Sequence, residues 1–383
     1  MMTSPPRKIL QIETASLKLP YKKALVTATN KFVTAEGVLV KVIIEDGPEG
    51  YGYADLFPRT GESLESARAA IETVLKPKLL GADLGELPKL RVMIDRLITA
   101  NPRAKAALET ALYDALARSA HVPLHLLLGG RCRSEIKIIR MLGLDDPEAM
   151  AEEAKRTARE GFALKLKLDG RIDLDLSRVA KVREAAGASV FIKVDANEAY
   201  DVKGAIRLAR GLADLGVEIF EQPVPRAQRE ALAEVKRHSP VKIEADQSVR
   251  TAADAYELIR MRAVDAINTS IQKAGGIGEA KKIAELCELA GIRCALSNTA
   301  GSMVGDAAAL QLAAAVPGIS PLCELGEFES VSGDPFTGLK IENGILRLPE
   351  GEGLGVKPKE SRWQASFSPG VIQKSRQSPP KMK

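Results

Sequence analysis

"ALKLKLDGRIDLDLSRVAKVREAAGASVFIKVDAN", residues 163–197, holds one full structural period of the chain. Its ends, ALKLKL and SVFIKVDAN, alternate along short apolar runs, the pattern of a β-strand. Its middle is rich in Ala, Leu, Arg and Glu at helical spacing. The same texture runs from residue 135 onward. IKIIRML, GVEIFEQP, VKIEADQS, VDAINTSIQK, IRCALSNT and SPLCEL complete a set of eight short runs. Strands separated by helices imply a parallel sheet with crossover connections, and eight of them point to a closed α/β barrel. A doubly wound open sheet is the alternative. No GxGxxG follows any of the strands, so no dinucleotide fingerprint supports it.

Outward from the barrel, residues 1–130 read as a separate α+β domain. KILQIETASLKL and GVLVKVIIEDG are strand-like, and apolar residues fall at helical spacing from Ser63 to Ile98 and from Pro102 to Ala120. The glycine pair in HLLLGGRCR marks the boundary, which puts the barrel at residues 131–325. Residues 326–357 regain strand and turn character and are expected to return to the first domain. Residues 358–383 are polar and basic and read as a poorly ordered tail.

The chain has 383 residues, 45 % hydrophobic and 27 % charged, ordinary values for a globular protein. Its net charge of +5 suggests nucleic acid at first sight. The last 13 residues carry four positive charges, however, and without them 51 basic residues face 50 acidic ones. Aromatics are 4 %, too few for a base-stacking platform. No apolar run is long enough to span a bilayer, and the N-terminus lacks a signal-like apolar stretch. Cys132, Cys287, Cys294 and Cys323 show no CxxC spacing. A cytoplasmic protein acting on a small molecule is the expectation, with no nucleic-acid or membrane partner.

The ionisable residues in the strands carry the functional signal. Lys167, Asp195, Glu221, Asp246 and Lys273 each lie at or just past a strand end, at intervals of 28, 26, 25 and 27 residues. One strand–helix unit has that length, so each unit delivers one charged group to the carboxyl-terminal rim, where barrel enzymes build their sites. A lone acid at a strand end is commonly the N-cap of the next helix. Three adjacent acids at unit spacing repel one another unless a cation neutralises them. Oxygen-only ligands favour a hard divalent ion, Mg2+ or in its place Mn2+. Such an ion grips a carboxylate and stabilises an enediolate, while a lysine on either side moves the proton on the neighbouring carbon. Lys165 shares a strand face with Lys167, and repulsion between two ammoniums is expected to make Lys167 a better base. Glu198 and Glu244 read as structural or as lying a layer behind the site.

K-x-K at 165–167, VDAN at 194–197, EQP at 221–223, ADQS at 245–248 and QKAGGIGEA at 272–280 together resemble the enolase superfamily, in its mandelate racemase/muconate lactonizing enzyme family and the muconate-lactonizing subgroup. The resemblance extends over about residues 8–357, with NPRAKAALETALYDALARSAHVPLHLLLGG leading into the barrel and GEGLGV closing it. It implies a (β/α)7β modified TIM barrel with a capping domain built from both chain ends. It implies Asp195, Glu221 and Asp246 as Mg2+ ligands, Lys167 and Lys273 as the acid/base pair, and Lys165 in support. Glu324 and Asn298 become candidate substrate contacts, and Asn197 and Gln247 candidate supports of the metal ligands. Loops near residues 20–30 and 50–62 would set specificity, with Tyr21, Tyr53, Phe57 and Arg59 as candidates. A homo-oligomer is expected, because the family commonly forms one.

Departures from the family pattern bear on the substrate. Gln247 stands where ADES has glutamate, and none of His121, His125 and His238 ends a strand, against the mandelate racemase subgroup. Glu324-Leu325-Gly326 replaces the D-x-D that dipeptide epimerases resemble, and Glu324 is more like the single glutamate of the cycloisomerases. The implied activity is proton transfer alpha to a carboxylate, by a cycloisomerase or a racemase or epimerase. Dipeptide epimerisation and an o-succinylbenzoate synthase-like dehydration use the same five residues. A non-catalytic barrel binding protein and a Schiff-base aldolase are alternatives of another class; the aldolase leaves the three acids without a purpose.

Overall fold

The computed structural model describes residues 7–26, 31–45, 47–57 and 60–359. Arg59 and residues 360–383, nearly all of the basic tail, lie outside the described residues. Strands β1 (Ile9–Val26), β2 (Lys31–Ile44) and β3 (Glu49–Leu56) form an antiparallel sheet in sequence order. The third strand, EGYGYADL in the sequence, has glycines where a strand normally packs side chains. A Cβ on Gly52 would lie 1.8 Å from the Ala107 carbonyl oxygen, so glycine there lets a helix backbone lie directly on the sheet.

The helices of this domain are α1 (Leu64–Ala69), α2 (Lys76–Leu79), α3 (Leu87–Leu97), α4 (Pro102–Ser119) and α5 (Leu124–Leu127). The helical periodicity of 63–98 is broken at Gly81, whose positive φ of 78° reverses the chain between α2 and α3. Pro102 opens α4, where its missing N–H costs nothing.

The barrel strands are β4 (Glu135–Leu142), β5 (Ala163–Lys167), β6 (Ile192–Asp195), β7 (Ile219–Glu221), β8 (Lys242–Ala245), β9 (Ala266–Thr269), β10 (Arg293–Leu296) and β11 (Leu322–Cys323). Neighbours pair in parallel in that order, β11 pairs with β4, and bridges Cys294–Ile319 and Ser297–Glu324 close the ring. The crossovers hold α6 (Pro147–Arg159), α7 (Ile172–Ala186), α8 (Val202–Asp214), α9 (Arg229–His238), α10 (Ala252–Arg260), the one-turn α11 (Ile271–Ala274) with α12 (Ile277–Leu289), and α13 (Met303–Ala315). Seven crossovers and eight parallel strands make a (β/α)7β barrel beside an α+β capping domain. Helix α13 is apolar and buried along nearly its whole length, because the barrel wall lies on one side and the capping domain and terminal segment on the other.

The segment after β11 serves both domains. Residues Ile341–Arg347 form a hairpin whose second strand pairs antiparallel with β4, so this part stays on the barrel instead of returning to the cap. Val331 bridges Tyr21, Gly353 bridges Pro123, and the Leu354 N–H donates to the buried Asp114 at 2.7 Å. Among the described residues no helix is long and apolar enough to cross a membrane.

Candidate active site

Strand register brings the charged groups together. Lys167 lies beside Asp195, and Asp195 beside Glu221, on three successive strands. Alternation directs Lys165, Lys193 and Glu244 to the same interior, one layer deeper. Asp246 follows the last residue of β8, and Lys273 sits on α11 just past β9.

The motifs around these residues hold the rim rigid. Gln222 of EQP takes an unusual positive φ of 38°, and its Oε1 accepts from the Asp246 and Ser248 N–H groups at 3.0 and 3.1 Å. Asn197 of VDAN donates to Asp195 Oδ2 at 3.1 Å and accepts from Lys167 at 2.9 Å. Both are backbone and side-chain clamps on the acidic residues, which explains why these short motifs contain amides.

Lys165 Nζ lies 3.1 Å from Asp195 Oδ2 and 2.7 Å from each of Glu221 Oε2 and Glu324 Oε2. Burial opposes its charge, but Asp195, Glu221 and Glu324 override burial and hold the ammonium well above its ordinary range. Lys165 is therefore enclosed by acids, and the expected action of a bare like charge on Lys167 does not describe its surroundings. Lys167 Nζ donates to Asp195 Oδ2 at 2.5 Å. Lys273 Nζ donates to the Asp246 and Asn268 carbonyls at 2.7 and 2.9 Å and pairs with the Asp246 carboxylate.

Burial and the nearby Asp195 charge push Glu221 upward to about 8. Asp195 goes the other way: burial is outweighed by Lys165 and Lys167, which hold it below the usual carboxylate range. Burial is likewise outweighed at Glu324, which Lys165 and Lys193 bring down to about 2.

The donor set fits a hard divalent cation. Asp195, Glu221 and Asp246 offer only oxygen, from three adjacent strands, and one ammonium already bridges Asp195 and Glu221. The tightest acidic cluster among the described residues is a different one: Glu221, Glu244 and Glu324 present oxygens within 4.8 Å of one another. Lys193 fills it, ion-paired to all three and fully buried. Asp246, in turn, pairs with Lys273 and lies apart from that cluster.

A cavity of about 1080 Å3 opens above this floor, reaching from Lys167, Asp195 and Lys273 to Tyr21, Phe57 and Glu327. Gln247 lines it, with an Oε1 atom that is buried and has no hydrogen-bond partner. Asn298 lines it too, while its side chain hydrogen-bonds Asp306. Glu324 is at the floor but is committed to Lys165, Lys193 and Asn268.

Tyr53 corrects an expectation. It does not line the cavity; its ring is buried against Gly37 and Gly301, because β3 is covered on both faces. Its neighbour in the expectation, Tyr21, does line the cavity, and the Tyr21 hydroxyl is buried with no partner. Lys193 and Asn268 escaped the sequence reading. The signal for Lys193 was K-x-D at 193–195, the same alternation that flagged Lys165 and Lys167.

Comparison with known proteins agrees with this geometry. Residues 10–129 match the mandelate racemase/muconate lactonizing enzyme N-terminal domain, and residues 149–362 the enolase C-terminal domain-like family. The chain is 34 % identical over 359 residues to an L-Ala-D/L-Glu epimerase of Bacillus subtilis, covering 91 % of this chain and 96 % of that protein. It is equally 34 % identical over 361 residues to muconate cycloisomerase 1 of Rhodococcus opacus, covering 91 % and 95 %. The crystal structure of N-succinyl Arg/Lys racemase from Bacillus cereus superimposes with a TM-score of 0.90 at 29 % identity, over 94 % of this chain and 98 % of that one. The chain thus belongs to the mandelate racemase/muconate lactonizing enzyme family of the enolase superfamily and is a metal-dependent isomerase.

Proposed function

We propose that the protein racemises or epimerises an amino acid whose nitrogen is held in an amide, by moving the proton alpha to the carboxylate. One observation carries this reading. Lys167 stands on the second and Lys273 just past the sixth of eight barrel strands, which are diametrically opposed across the acids. A carbon held between them has one amine on each face, as a two-base inversion requires.

A divalent cation, Mg2+ in this proposal, on Asp195, Glu221 and Asp246 would neutralise the substrate carboxylate and the charge that builds on it as the alpha proton leaves. The chain's own residues do the rest. Lys167, fixed by Asn197, takes the proton on one face, and Lys273, fixed by the Asp246 and Asn268 carbonyls, returns one on the other. Lys165 and Lys193 keep the acids from repelling one another. The five carboxylates Asp195, Glu221, Glu244, Asp246 and Glu324 outnumber the four interior ammoniums by one. A divalent ion and one substrate carboxylate bring that balance to zero while both rim lysines are protonated, and to minus one when either is the free amine that takes the proton.

Glu324 is bonded to two lysines, so it is a poor partner for a free substrate ammonium at that position. The buried Gln247 oxygen suits an amide N–H. Both features favour an acylated nitrogen without a free ammonium, as in an N-acyl amino acid; the second residue of a dipeptide offers the same amide but brings an ammonium that Glu324 does not serve. The cycloisomerase reading keeps one specific support, the single acid at Glu324 in place of D-x-D.

Incubating the Mg2+-loaded protein in D2O with both enantiomers of N-acyl amino acids, with dipeptides and with muconate tests this by NMR. Wild type should exchange the alpha proton of both enantiomers of an amide substrate, and Lys167→Ala and Lys273→Ala should each lose exchange from a different one. Lactonisation of muconate with no exchange from any amide substrate overturns the racemase reading in favour of the cycloisomerase.

A further inference from the structure

Lys273 rides on a single helical turn, and that turn is gripped from outside the barrel. Gln272, its neighbour, is buried and donates from Nε2 to the Tyr53 carbonyl of β3 at 2.5 Å. Beyond Lys273 the chain reads AGGIG. Gly275 ends α11 in the left-handed region, and Gly276 begins α12 with no side chain able to cap it. A carboxylate from the capping domain takes over that duty. Glu109 of α4 is buried, and its Oε1 accepts the Gly278 N–H at 2.9 Å. Arg91 of α3 ion-pairs with the same oxygen, Nε to Oε1 at 3.0 Å.

The glycines record how close this approach is. A Cβ on Gly276 would lie 2.0 Å from Glu109 Oε2, and one on Gly278 would lie 1.8 Å from the Arg91 guanidinium carbon. A carboxylate at a helix N-terminus satisfies a free N–H and meets the positive end of the helix dipole. Here it anchors the start of α12 at Gly278, four residues beyond the end of the α11 turn from which the Lys273 side chain reaches Asp246. The segment that follows Lys167, the last residue of β5, is fastened otherwise, by barrel residues: the Asp169 and Gly170 N–H groups donate to Asp175 at 3.2 and 3.1 Å, and Asp175 is held by Arg178 and Tyr200.

We infer that Glu109 is a positioning residue for Lys273, so that the capping domain builds one of the two acid/base faces as well as covering the substrate. This rests on the reading of Lys273 as a base, and it separates the two faces: disturbing Glu109 misplaces Lys273 and leaves Lys167 in place. A misplacement of about 1 Å costs roughly 100-fold in rate, so a loss of about 10- to 100-fold is expected on one face.

The test measures alpha-proton exchange in D2O from each enantiomer separately, with the full chain and Mg2+. Lys273→Ala identifies which enantiomer depends on Lys273. Glu109→Ala should slow exchange of that enantiomer by about 10- to 100-fold and leave the other within about twofold. Glu109→Gln, which keeps an acceptor for the Gly278 N–H, should restore most of the loss. If Glu109→Ala does not fold, Glu109→Asp, which draws the carboxylate back by one methylene, must show a smaller loss on the same side. Equal loss on both faces marks a merely structural residue and overturns the inference, as does no loss at all. If Lys273→Ala itself slows both enantiomers alike, the base assignment falls first and the inference falls with it.

Discussion

Replacing Lys193 with methionine should destabilise the protein in a strongly pH-dependent way. The Lys193 ammonium is fully buried and paired with Glu221, Glu244 and Glu324. Glu221 and Glu324 keep Lys165 at 2.7 Å after the change. Glu244 does not, because among the described residues its ion pair is to Lys193 alone. A buried charge left without its partner costs about 3–5 kcal/mol. The escape is protonation: holding a carboxyl of ordinary pKa near 4.3 neutral at pH 7 costs about 3.7 kcal/mol, at about 1.36 kcal/mol per unit. The two routes agree, so a loss of about 4 kcal/mol is expected at pH 7.

In that variant the Glu244 carboxyl is raised above its unfolded value. Its folded form keeps a proton that the unfolded chain releases, so stability is retained below about pH 4 and falls as pH rises through neutrality. The assay is urea denaturation of metal-free protein by circular dichroism, at pH 5 and pH 7. Lys193→Met should lose about 1 kcal/mol at the lower pH and about 4 at the higher. Adding Glu244→Gln should recover more than about 2 kcal/mol at pH 7, the coupling expected of groups in one buried network. A loss below about 1 kcal/mol that does not vary with pH would falsify the assignment of Lys193 as the counter-ion of the barrel interior.

Asp195→Asn should abolish divalent-metal binding and turnover together, read by Mn2+ titration and alpha-proton exchange; turnover persisting in chelator refutes its ligand role. Metal binding at neutral pH should release protons, because burial and Asp195 raise Glu221 in the metal-free protein and a ligand must be ionised. Calorimetric heats of Mg2+ binding should therefore vary with the ionisation enthalpy of the buffer, and buffer-independent heats contradict it. Asp114→Ala strips the acceptor from the Tyr51 and Leu354 N–H groups and from Arg118, at 2.9, 2.7 and 3.0 Å. It should cost about 3–5 kcal/mol in urea and open residues 345–356 to limited proteolysis. Unchanged protection there shows that other contacts hold the terminal segment.

The barrel rim was legible because one repeat unit has a nearly fixed length, so charged residues 25 to 28 apart had to meet. What repetition does not encode stayed hidden. Tyr53 was misread as a substrate contact because alternation tells which face a residue takes only when one face is wet, and β3 is buried on both. The glycines of 275–278 were visible as a motif, but the reason for them, Glu109 and Arg91, lies more than 160 residues away in another domain. The hairpin Ile341–Arg347 read as strand and turn, yet which sheet edge it joins depends on the exposed side of β4, which no local pattern reports.

The two lysines of KLK illustrate how far like charges can be tolerated, and why. Register puts Lys165 directly opposite Lys193, another cation, while Lys167 falls opposite Asp195. Two buried ammoniums side by side are unfavourable unless acids from other strands come between them. Glu221 and Glu324 do so, each bonded to both lysines. Those acids come from the fourth and eighth strands, so neutrality inside the barrel exists only once the ring has closed. Closure and the charge pattern of the site therefore depend on each other. A single interior charge change is felt on several strands at once, which is why substitutions in the deeper layer, remote from substrate, are expected to disturb metal binding at the rim.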